Sequence, residues 1–357
     1  MSATSPTAPG GSRAPLRVGN CSGFYGDRLS AMREMLEGGE LDVLTGDYLA
    51  ELTMLILARD RSADPSAGYA RTFLRQLEGC LGLALDRGVT IVTNAGGVNP
   101  AGLASAIGEL ATGLGLTPRV AHVAGDDLTG RAASLGLGSP LAAHAYLGAL
   151  GIAECVAAGA DVVVTGRVTD ASVVVGPAIA HFGWASSDLD QLAGATAAGH
   201  IIECGTQATG GNFSFFTELP DLIRPGFPIA EIALDGSCVI TKHPGTGGAV
   251  TVETVLSQLL YEVTDARYPG PDVTLRLDSL RLATDGPDRV RVSGARGEAP
   301  PPQVKVSCSS VGGHRNEMTF ILTGLNIDAK ADLIKTQFEA HLQRRPAEMS
   351  WILARTD

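Results

Sequence analysis

The chain has 357 residues, of which 45% are hydrophobic, 18% are charged and only 5% are aromatic. This composition is that of a globular protein, and the length suits one large domain or two of ordinary size. The formal net charge of −11 argues against a general affinity for nucleic acid or anionic membranes, because both need a surplus of Lys and Arg. We therefore expect no nucleic-acid partner.

The six cysteines are widely separated, with no CxxC pair and no spacing typical of a zinc site. Residues 1–15 are rich in Ser, Thr, Pro, Ala and Gly, and predict a disordered leader without a secretory signal. No apolar run reaches the roughly 18 residues that a membrane span needs. We predict a cytoplasmic protein with reduced thiols and no membrane partner.

From Leu16 onward, short β-branched runs alternate with longer stretches of helical periodicity. Strands are predicted at residues 16–21, 41–48, 89–97, 119–127 and 161–170, the last together with its loop. Helices are predicted between them, including one long helix over the alanine-rich residues 141–160. Apolar strands separated by helices indicate an α/β fold, with a mostly parallel sheet flanked by helices on both faces.

After about residue 195 the pattern changes to two strand-like runs around a turn, a helix ending at Val263, and segments that alternate apolar and polar residues. Such alternation is typical of antiparallel strands, so we predict a smaller α+β C-terminal region. The predicted domains are a parallel α/β domain, residues 16–195, and an α+β region packed on it, residues 196–357.

Nearly every predicted parallel strand ends in glycine beside a polar residue, in NCSG, TGDY, TNAGG, AGDD and TGRVTD. Ligands of parallel α/β folds bind at the carboxyl ends of the strands. Turn geometry alone accounts for the glycines, but it does not require the charged and amide side chains beside them. We therefore predict that these loops form a substrate site, with the side chains of Asp47, Asn94, Asp126, Asp127, Arg167 and Asp170.

The acids and the arginine of these loops each have a structural alternative. Arg167 can hold a carboxylate or phosphate through two parallel hydrogen bonds, and Asp170 can accept a proton. The pair can instead form an ion pair that fixes the loop, or Asp170 can cap the following helix. Asp126 and Asp127 can bind Mg²⁺, divide acid and base roles, or lie in a solvated loop.

Residues 201–216, IIECGTQATGGNFSFF, place an acid, a thiol, an amide, a threonine and two glycines close together. Glu203 can move a proton, and it would share a helix face with His200. Cys204 can be a nucleophile if His200 makes it a thiolate, and a buried structural thiol is the alternative. The remaining groups can donate hydrogen bonds to a developing oxyanion, through Gln207, Thr209, Gly210 and Gly211.

A second glycine-rich segment, GTGG at residues 245–248, follows Lys242 and precedes a helix-like run. Backbone N–H groups at a helix N-terminus bind phosphate, and a flexible turn is the alternative. The chain has no GxxxxGK[ST] motif, no GxGxxG after the first strand and no GxSxG elbow. We predict that a phosphate-bearing part of the ligand is held by Lys242, Gly245, Gly247 and Gly248.

Together these motifs resemble the acyclic terpene utilisation (AtuA) family over roughly residues 16–311. The resemblance is carried by SGFYGDR, LDVLTGDYLAELTM, VTNAGGVNP and GDDL, and most specifically by TGRVTD and GHIIECGTQATGG. The family is named for bacterial gene clusters that degrade citronellol and geraniol through acyl-CoA intermediates, so the resemblance implies an acyl thioester substrate. Members with a longer tail carry an extra ferredoxin-like domain, which we expect this chain, ending at Asp357, to lack.

We expect an enzyme that adds or removes water at an acyl-CoA or related thioester of a branched, terpenoid or polyketide acid. Its predicted catalytic residues are Asp170, Glu203, Cys204 and Gln207. Two alternatives stay open: a non-catalytic CoA-ester-binding subunit of a larger complex, and a thioester hydrolase or acyl transferase that uses Cys204. We predict no cofactor beyond CoA as part of the substrate, the sequence leaves a divalent metal undecided, and base rates favour a homo-oligomer.

Overall fold

The computed structural model describes residues 14–355 of the chain. The predicted leader therefore lies outside the described residues, apart from Ala14 and Pro15. The strands are β1 (Leu16–Asn20), β2 (Val43–Gly46), β3 (Thr90–Thr93), β4 (Val120–Val123), β5 (Ala142–Ala145), β6 (Val162–Thr165), β7 (Pro228–Ile232), β8 (Cys238–Lys242), β9 (Arg267–Pro269), β10 (Thr274–Arg276), β11 (Arg281–Gly286), β12 (Arg289–Ser293), β13 (Gly297–Glu298) and β14 (Val306–Ser309). The helices are α1 (Ala31–Gly38), α2 (Glu51–Ala63), α3 (Arg71–Glu78), α4 (Leu81–Asp86), α5 (Pro100–Gly113), α6 (Leu150–Ala157), α7 (Ser172–Phe182), α8 (Leu189–Ile202), α9 (Val252–Leu259) and α10 (Ile327–His341).

Nine of the strands form a central sheet, in the order β11-β12-β8-β7-β1-β2-β3-β6-β4. The pairs β1–β2, β2–β3, β3–β6 and β6–β4 are parallel. The pairs β1–β7, β7–β8, β8–β12 and β12–β11 are antiparallel. Two smaller antiparallel sheets have the orders β13-β10-β9 and β14-β5. The predicted α/β fold class is confirmed.

Helices cover both faces of the parallel part of the sheet. Successive side chains of a strand point to opposite faces, and in β6 Val163 packs in the core formed with α6, α7 and α8. Its neighbours Val162 and Val164 pack in the core formed with α1, α3, α4 and α5. The continuous apolar character of these strands follows from this burial on both sides.

The prediction of a single helix over residues 141–160 is wrong. Ala142–Ala145 form β5, which pairs antiparallel with β14, and α6 begins only at Leu150. Alanine strongly favours helix, but tertiary pairing overrides local propensity, and the partner strand lies far along the chain. The helix-like sequence of residues 71–88 is divided into α3 and α4 by a turn at Gly79 and Cys80.

The chain forms two compact units, one extending to Val311 and the other beginning at Gly312. The predicted boundary after residue 195 falls within α8, and strands on either side of it belong to the central sheet; the division into 16–195 and 196–357 stays a prediction. Within the second unit, the Phe338 ring of α10 packs edge-on against Phe320 and Trp351. Over residues 14–355, no helix combines the length and apolar composition needed to cross a membrane.

The packing of α8 against the turn between β7 and β8 depends on Gly194, because a Cβ there would overlap the carbonyl oxygen of Gly236. We expect Gly194→Ala to lower the free energy of unfolding by about 1–3 kcal/mol, since overpacking displaces backbone. Denaturant unfolding measures this change. Gly108→Ala in α5 is the matched control: its Cβ would meet no atom within 4 Å, so it should stabilise by about 0.5–1 kcal/mol. Equal effects of the two substitutions would contradict the close approach.

Candidate active site

The loops that follow β1, β2, β3 and β6 lie together at one edge of the central sheet. These strands are parallel, so their carboxyl ends share that edge. Asp47 follows β2 and Asn94 follows β3, and the Asn94 side-chain amide donates to Asp47 Oδ1 over 2.6 Å. Asn94 Oδ1 accepts from the backbone N–H of Tyr48 at 2.8 Å. Asn94 therefore fixes the turn that carries Asp47.

The C-terminal end of α8 reaches the same edge. The side-chain amide of Asn20, the last residue of β1, donates to the carbonyl oxygen of Glu203 over 3.3 Å. His200 Nδ1 lies 3.1 Å from Glu203 Oε1, and both side chains are buried. The two residues share one face of the last helical turn, as their spacing predicts.

Arg167 extends from the loop after β6 and is buried, with 3% of its side chain exposed. Its Nη2 lies 3.0 Å from Asp170 Oδ1, and its guanidinium carbon lies 4.1 Å from the centroid of the Tyr146 ring. Within residues 14–355, neither Nε nor Nη1 of Arg167 has a hydrogen-bond partner. Buried donors without partners are costly, so this guanidinium is suited to pairing with a ligand oxygen.

Asp170 is the accessible member of the group, with 28% of its side chain exposed. The ion pair with Arg167, one of the alternatives from the sequence, is present. The other alternative, a helix cap by Asp170, is not what α7 uses, because that helix begins after Ala171 without a side-chain cap. Asp170 is therefore available both to Arg167 and to a ligand.

Asp47, Asp170 and Glu203 interact electrostatically in what we call the buried charge cluster, which also contains Arg167 and His200. Burial raises the pKa of Asp47 well above its ordinary value, and the charges of Asp170 and Glu203 raise it further. Burial also raises the pKa of Asp170, against the opposing effect of Arg167. Like charges in a low-dielectric space cannot all ionise, so the cluster retains a proton near neutral pH.

The pKa values of both Glu203 and His200 are shifted upward. Burial raises the pKa of Glu203 to about 7, although the hydrogen bond and charge of His200 oppose the shift. Burial lowers the pKa of His200, but the hydrogen bond and charge of Glu203 and the charge of Asp170 outweigh it, so the net shift is upward. The pair therefore titrates as a unit, in the range that general acid–base catalysis uses.

Cys204 lies beside the cluster, but its surroundings disfavour a thiolate. Burial raises the pKa of the thiol, and the charges of Glu203, Asp47 and Asp170 raise it further. A nucleophilic cysteine needs a positive neighbour that lowers its pKa. The Nδ1 atom of His200, the base expected to activate Cys204, instead pairs with Glu203. The electrostatics favour the structural alternative for this thiol.

The predicted oxyanion donors occupy a 3₁₀ helix and the turn after it. The Gly210 N–H donates to Gln207 O over 3.2 Å, and the Gly211 N–H donates to Thr206 O over 3.0 Å. The Thr209 hydroxyl also bonds to main-chain carbonyls. These groups are engaged in the turn itself, whereas Gln207 Oε1 is buried without a hydrogen-bond partner among the described residues.

The GTGG loop lies after β8. Helix α9 uses Thr251 as its N-cap, so the glycines precede the helix N-terminus and do not form it. The Gly248 N–H donates to a main-chain carbonyl over 2.9 Å. Lys242 Nζ lies 3.1 Å from Asp288 Oδ2. A phosphate would compete with these internal partners. The predicted role in phosphate binding therefore stays a prediction for Lys242, Gly245, Gly247 and Gly248.

Asp126 lies behind the Arg167 loop. Its Oδ2 accepts from the backbone N–H of Arg167 at 2.8 Å and lies 3.0 Å from His144 Nδ1 on β5. Asp126 is thus placed to fix the backbone of Arg167. Its neighbour Asp127 accepts from the backbone N–H of Thr129 at 2.9 Å, which is the turn geometry that the structural alternative describes.

Tyr146, which covers the Arg167 guanidinium, is not among the residues predicted from the sequence. The Tyr146 hydroxyl donates to Glu51 over 2.5 Å, and Lys305 Nζ lies 4.5 Å from the ring centroid. Recognising β5 as a strand would have directed attention to Tyr146, which directly follows it. No comparable signal exists for Tyr268, whose ring centroid lies 5.0 Å from that of His200. Across residues 14–355, no three His, Cys, Asp or Glu side chains are arranged to hold a metal ion.

The family model described as acyclic terpene utilisation family protein AtuA matches residues 16–356. The chain belongs to the AtuA family. No curated protein and no solved structure matches it. In this AtuA family member, the blocks with the most specific resemblance, TGRVTD and GHIIECGTQATGG, supply four of the five residues of the buried charge cluster: Arg167, Asp170, His200 and Glu203.

The surroundings of Cys204 predict slow reaction of this thiol with iodoacetamide. At neutral pH we expect the exposed Cys308 to be alkylated at least about tenfold faster, because the thiolate is the reacting form and burial with carboxylates suppresses it at Cys204. Peptide mapping by mass spectrometry gives both rates in one sample. Unfolding the protein should equalise them. Faster labelling of Cys204 in the folded protein would restore its candidacy as a nucleophile.

Proposed function

We propose that this AtuA family member is an enzyme that adds or removes water at an acyl thioester, by acid–base catalysis in the buried charge cluster. The observation that carries the proposal is the cluster itself. It combines an accessible carboxylate, a carboxyl group with a pKa of about 7 and an arginine with two nitrogen atoms that lack hydrogen-bond partners among residues 14–355. Pairs of carboxyl groups in different environments are typical of sites that need an acid and a base together.

In the dehydration direction, Asp170 acts as the base. Burial raises its pKa on balance, against the opposing charge of Arg167, which makes the carboxylate a stronger base than an ordinary aspartate. Its partial exposure gives a substrate access. The carboxylate takes the proton from the carbon next to the thioester carbonyl, and the electron pair of that C–H bond moves toward the carbonyl oxygen. Nε and Nη1 of Arg167 donate hydrogen bonds to the enolate oxygen and stabilise it, and the oxygen is the acceptor that these buried donors otherwise lack.

Glu203 acts as the acid. With a pKa of about 7, it is substantially protonated at neutral pH and can give its proton to the departing β-hydroxyl group. The carbon–oxygen bond breaks, the enolate electrons form the carbon–carbon double bond, and water leaves. The proton on Asp170 then returns to Glu203, which restores the starting state. Hydration is the reverse sequence, and neither direction changes an oxidation state.

The two alternatives have less support from the site. A cysteine-dependent hydrolase or acyl transferase needs a thiolate, and the carboxyl neighbours of Cys204 raise the pKa of its thiol. A non-catalytic ester-binding subunit does not need a proton-exchanging pair such as His200 and Glu203.

Substitution of either carboxyl group should remove activity while preserving the fold. We expect Glu203→Gln and Asp170→Asn each to lower kcat by about 10²–10⁴-fold, the usual contribution of general acid–base groups. The assay follows interconversion of α,β-unsaturated and β-hydroxyacyl thioesters of CoA by purified protein.

The matched controls are Glu37→Gln and Asp278→Asn, at exposed carboxylates in surface ion pairs, which should change kcat less than about twofold. Calorimetric titration with the same esters runs in parallel. Ester binding without turnover by the wild-type protein would favour the non-catalytic subunit, and full activity in both site variants would refute the assigned roles.

The pH dependence follows from the required protonation states. Because Glu203 must carry its proton, kcat/KM should fall as pH rises above about 7, the pKa of this residue. The reaction releases no net proton, so the same fall in kcat/KM above about pH 7 should occur in the hydration and dehydration directions. The residual activity of Glu203→Gln should not show this fall. A wild-type rate that stays constant up to about pH 9 would assign the acid elsewhere.

A further inference from the structure

A surface cleft of about 210 Å³ lies between α2 and β5. One of its lining residues, His144, contacts Asp126, which accepts from the backbone N–H of Arg167. His144 of β5 lines the cleft, and Arg61 and Ser62 of α2 form part of its wall. Asp127 and Thr129, from the turn after β4, complete its polar lining. The proposed acid–base steps use none of these five side chains.

Helix α2, and β5 with the residue that follows it, contribute both to the cleft and to the cover over Arg167. At one end of this wall, Glu51 accepts a hydrogen bond from Tyr146, whose ring lies over Arg167. At the other end, Ala58 and His144 line the cleft. Ala58 is seven residues beyond Glu51, which corresponds to about 10 Å along a helix, and His144 is two residues from Tyr146, about 7 Å along an extended chain. The cleft and the cover of Arg167 are thus separated by about 7–10 Å along these elements.

The lining of the cleft suits a neutral chain that carries amide groups. Burial opposes ionisation of Asp127, but hydrogen bonds from Thr129 and the charges of His144 and Arg61 produce a net lowering of its pKa. The cleft thus presents an anion, Asp127, and a cation, Arg61, whose Nη1 donates to the carbonyl oxygen of Val98. An amide carbonyl can accept from Arg61 while an amide N–H donates to Asp127. Methylene groups can contact the apolar lining of Ala58, Val98, Leu141 and Ala142.

We propose that this cleft binds the pantetheine arm of the thioester, with the acyl carbonyl at Arg167. The inference rests on the proposed function, because biological acyl thioesters are commonly carried on the thiol of pantetheine, whose arm alternates secondary amides with methylene groups. The arm enters along α2 and β5 and leaves the carboxyl groups of the cluster free for the acyl part.

The test blocks the cleft with Ser62→Phe. Ser62 lies on the exposed side of α2, and its hydroxyl bonds to the carbonyl oxygen of Ala58 over 2.9 Å. Ser105→Phe in α5 is the matched control, because Ser105 is also exposed and bonds in the same way to Ala101 over 3.1 Å. Thermal unfolding compares the folding of both variants.

Two thioesters of one acyl group give the kinetic readout. For the pantetheine thioester, Ser62→Phe should raise KM at least about tenfold with kcat retained. For the N-acetylcysteamine thioester, which keeps only the end of the arm next to sulfur, KM and kcat should stay within about twofold. Asp127→Asn, which keeps the acceptor for the Thr129 N–H, is the second variant and should also raise KM selectively for the pantetheine ester. An equal rise in KM for both esters would overturn the proposal.

Calorimetric titration with pantetheine gives a readout that does not require turnover. Wild type and Ser105→Phe should bind it equally, and Ser62→Phe should bind at least about tenfold more weakly. If no thioester is turned over, the proposed reaction fails while this titration still decides the role of the cleft. No binding by wild type, or equal binding by Ser62→Phe and Ser105→Phe, would refute the cleft as the site of the arm.

Discussion

The buried guanidinium of Arg167 is the group on which the arrangement of the site depends. It keeps its charge in any protein environment, so its burial requires anions nearby, and Asp170 provides the direct ion pair. Asp47 and Glu203 add more carboxyl groups than Arg167 and His200 can balance in a buried space. The imbalance is relieved by retained protons, because protonation costs less than burying every charge. A readily exchanged proton is thus a consequence of how the cluster is composed.

The topology of the sheet explains why these residues meet. β1 has a parallel neighbour, β2, on one side and an antiparallel neighbour, β7, on the other. Between β6 and β7 the chain passes through α7 and α8, and Gly199 lets α8 lie against the main chain of Ala171. This crossing brings the end of α8 over the end of β1. Residues from helix and strand ends therefore meet outside the carboxyl ends of the parallel strands, which is the usual position of a ligand in an open α/β sheet.

Part of the site was predictable because it depends only on strand direction. Asp47, Asn94 and Arg167 all follow parallel strands, so a correct assignment of those strands is enough to bring them to one edge. Tyr146 was not predictable in this way, because residues 141–160 have the composition of a helix. Their first part becomes a strand only through pairing with β14, a contact between segments distant in the chain. The hydrogen bonds that engage the Gly210 and Gly211 amides were also outside the reach of sequence patterns.

The amino-acid pattern was enough to predict the α/β class, most of the strands and helices, and the loops that carry charged and amide groups. These properties follow from hydrophobic periodicity and residue chemistry, which act over a few neighbouring positions. Only the tertiary structure decided that Asp47, Asp170 and Glu203 share a buried space with Arg167 and His200. It also decided that the pKa of Glu203 lies near 7. The physical reason is that proximity, loss of solvent and charge compensation arise from chain crossings, and no short stretch of sequence contains them.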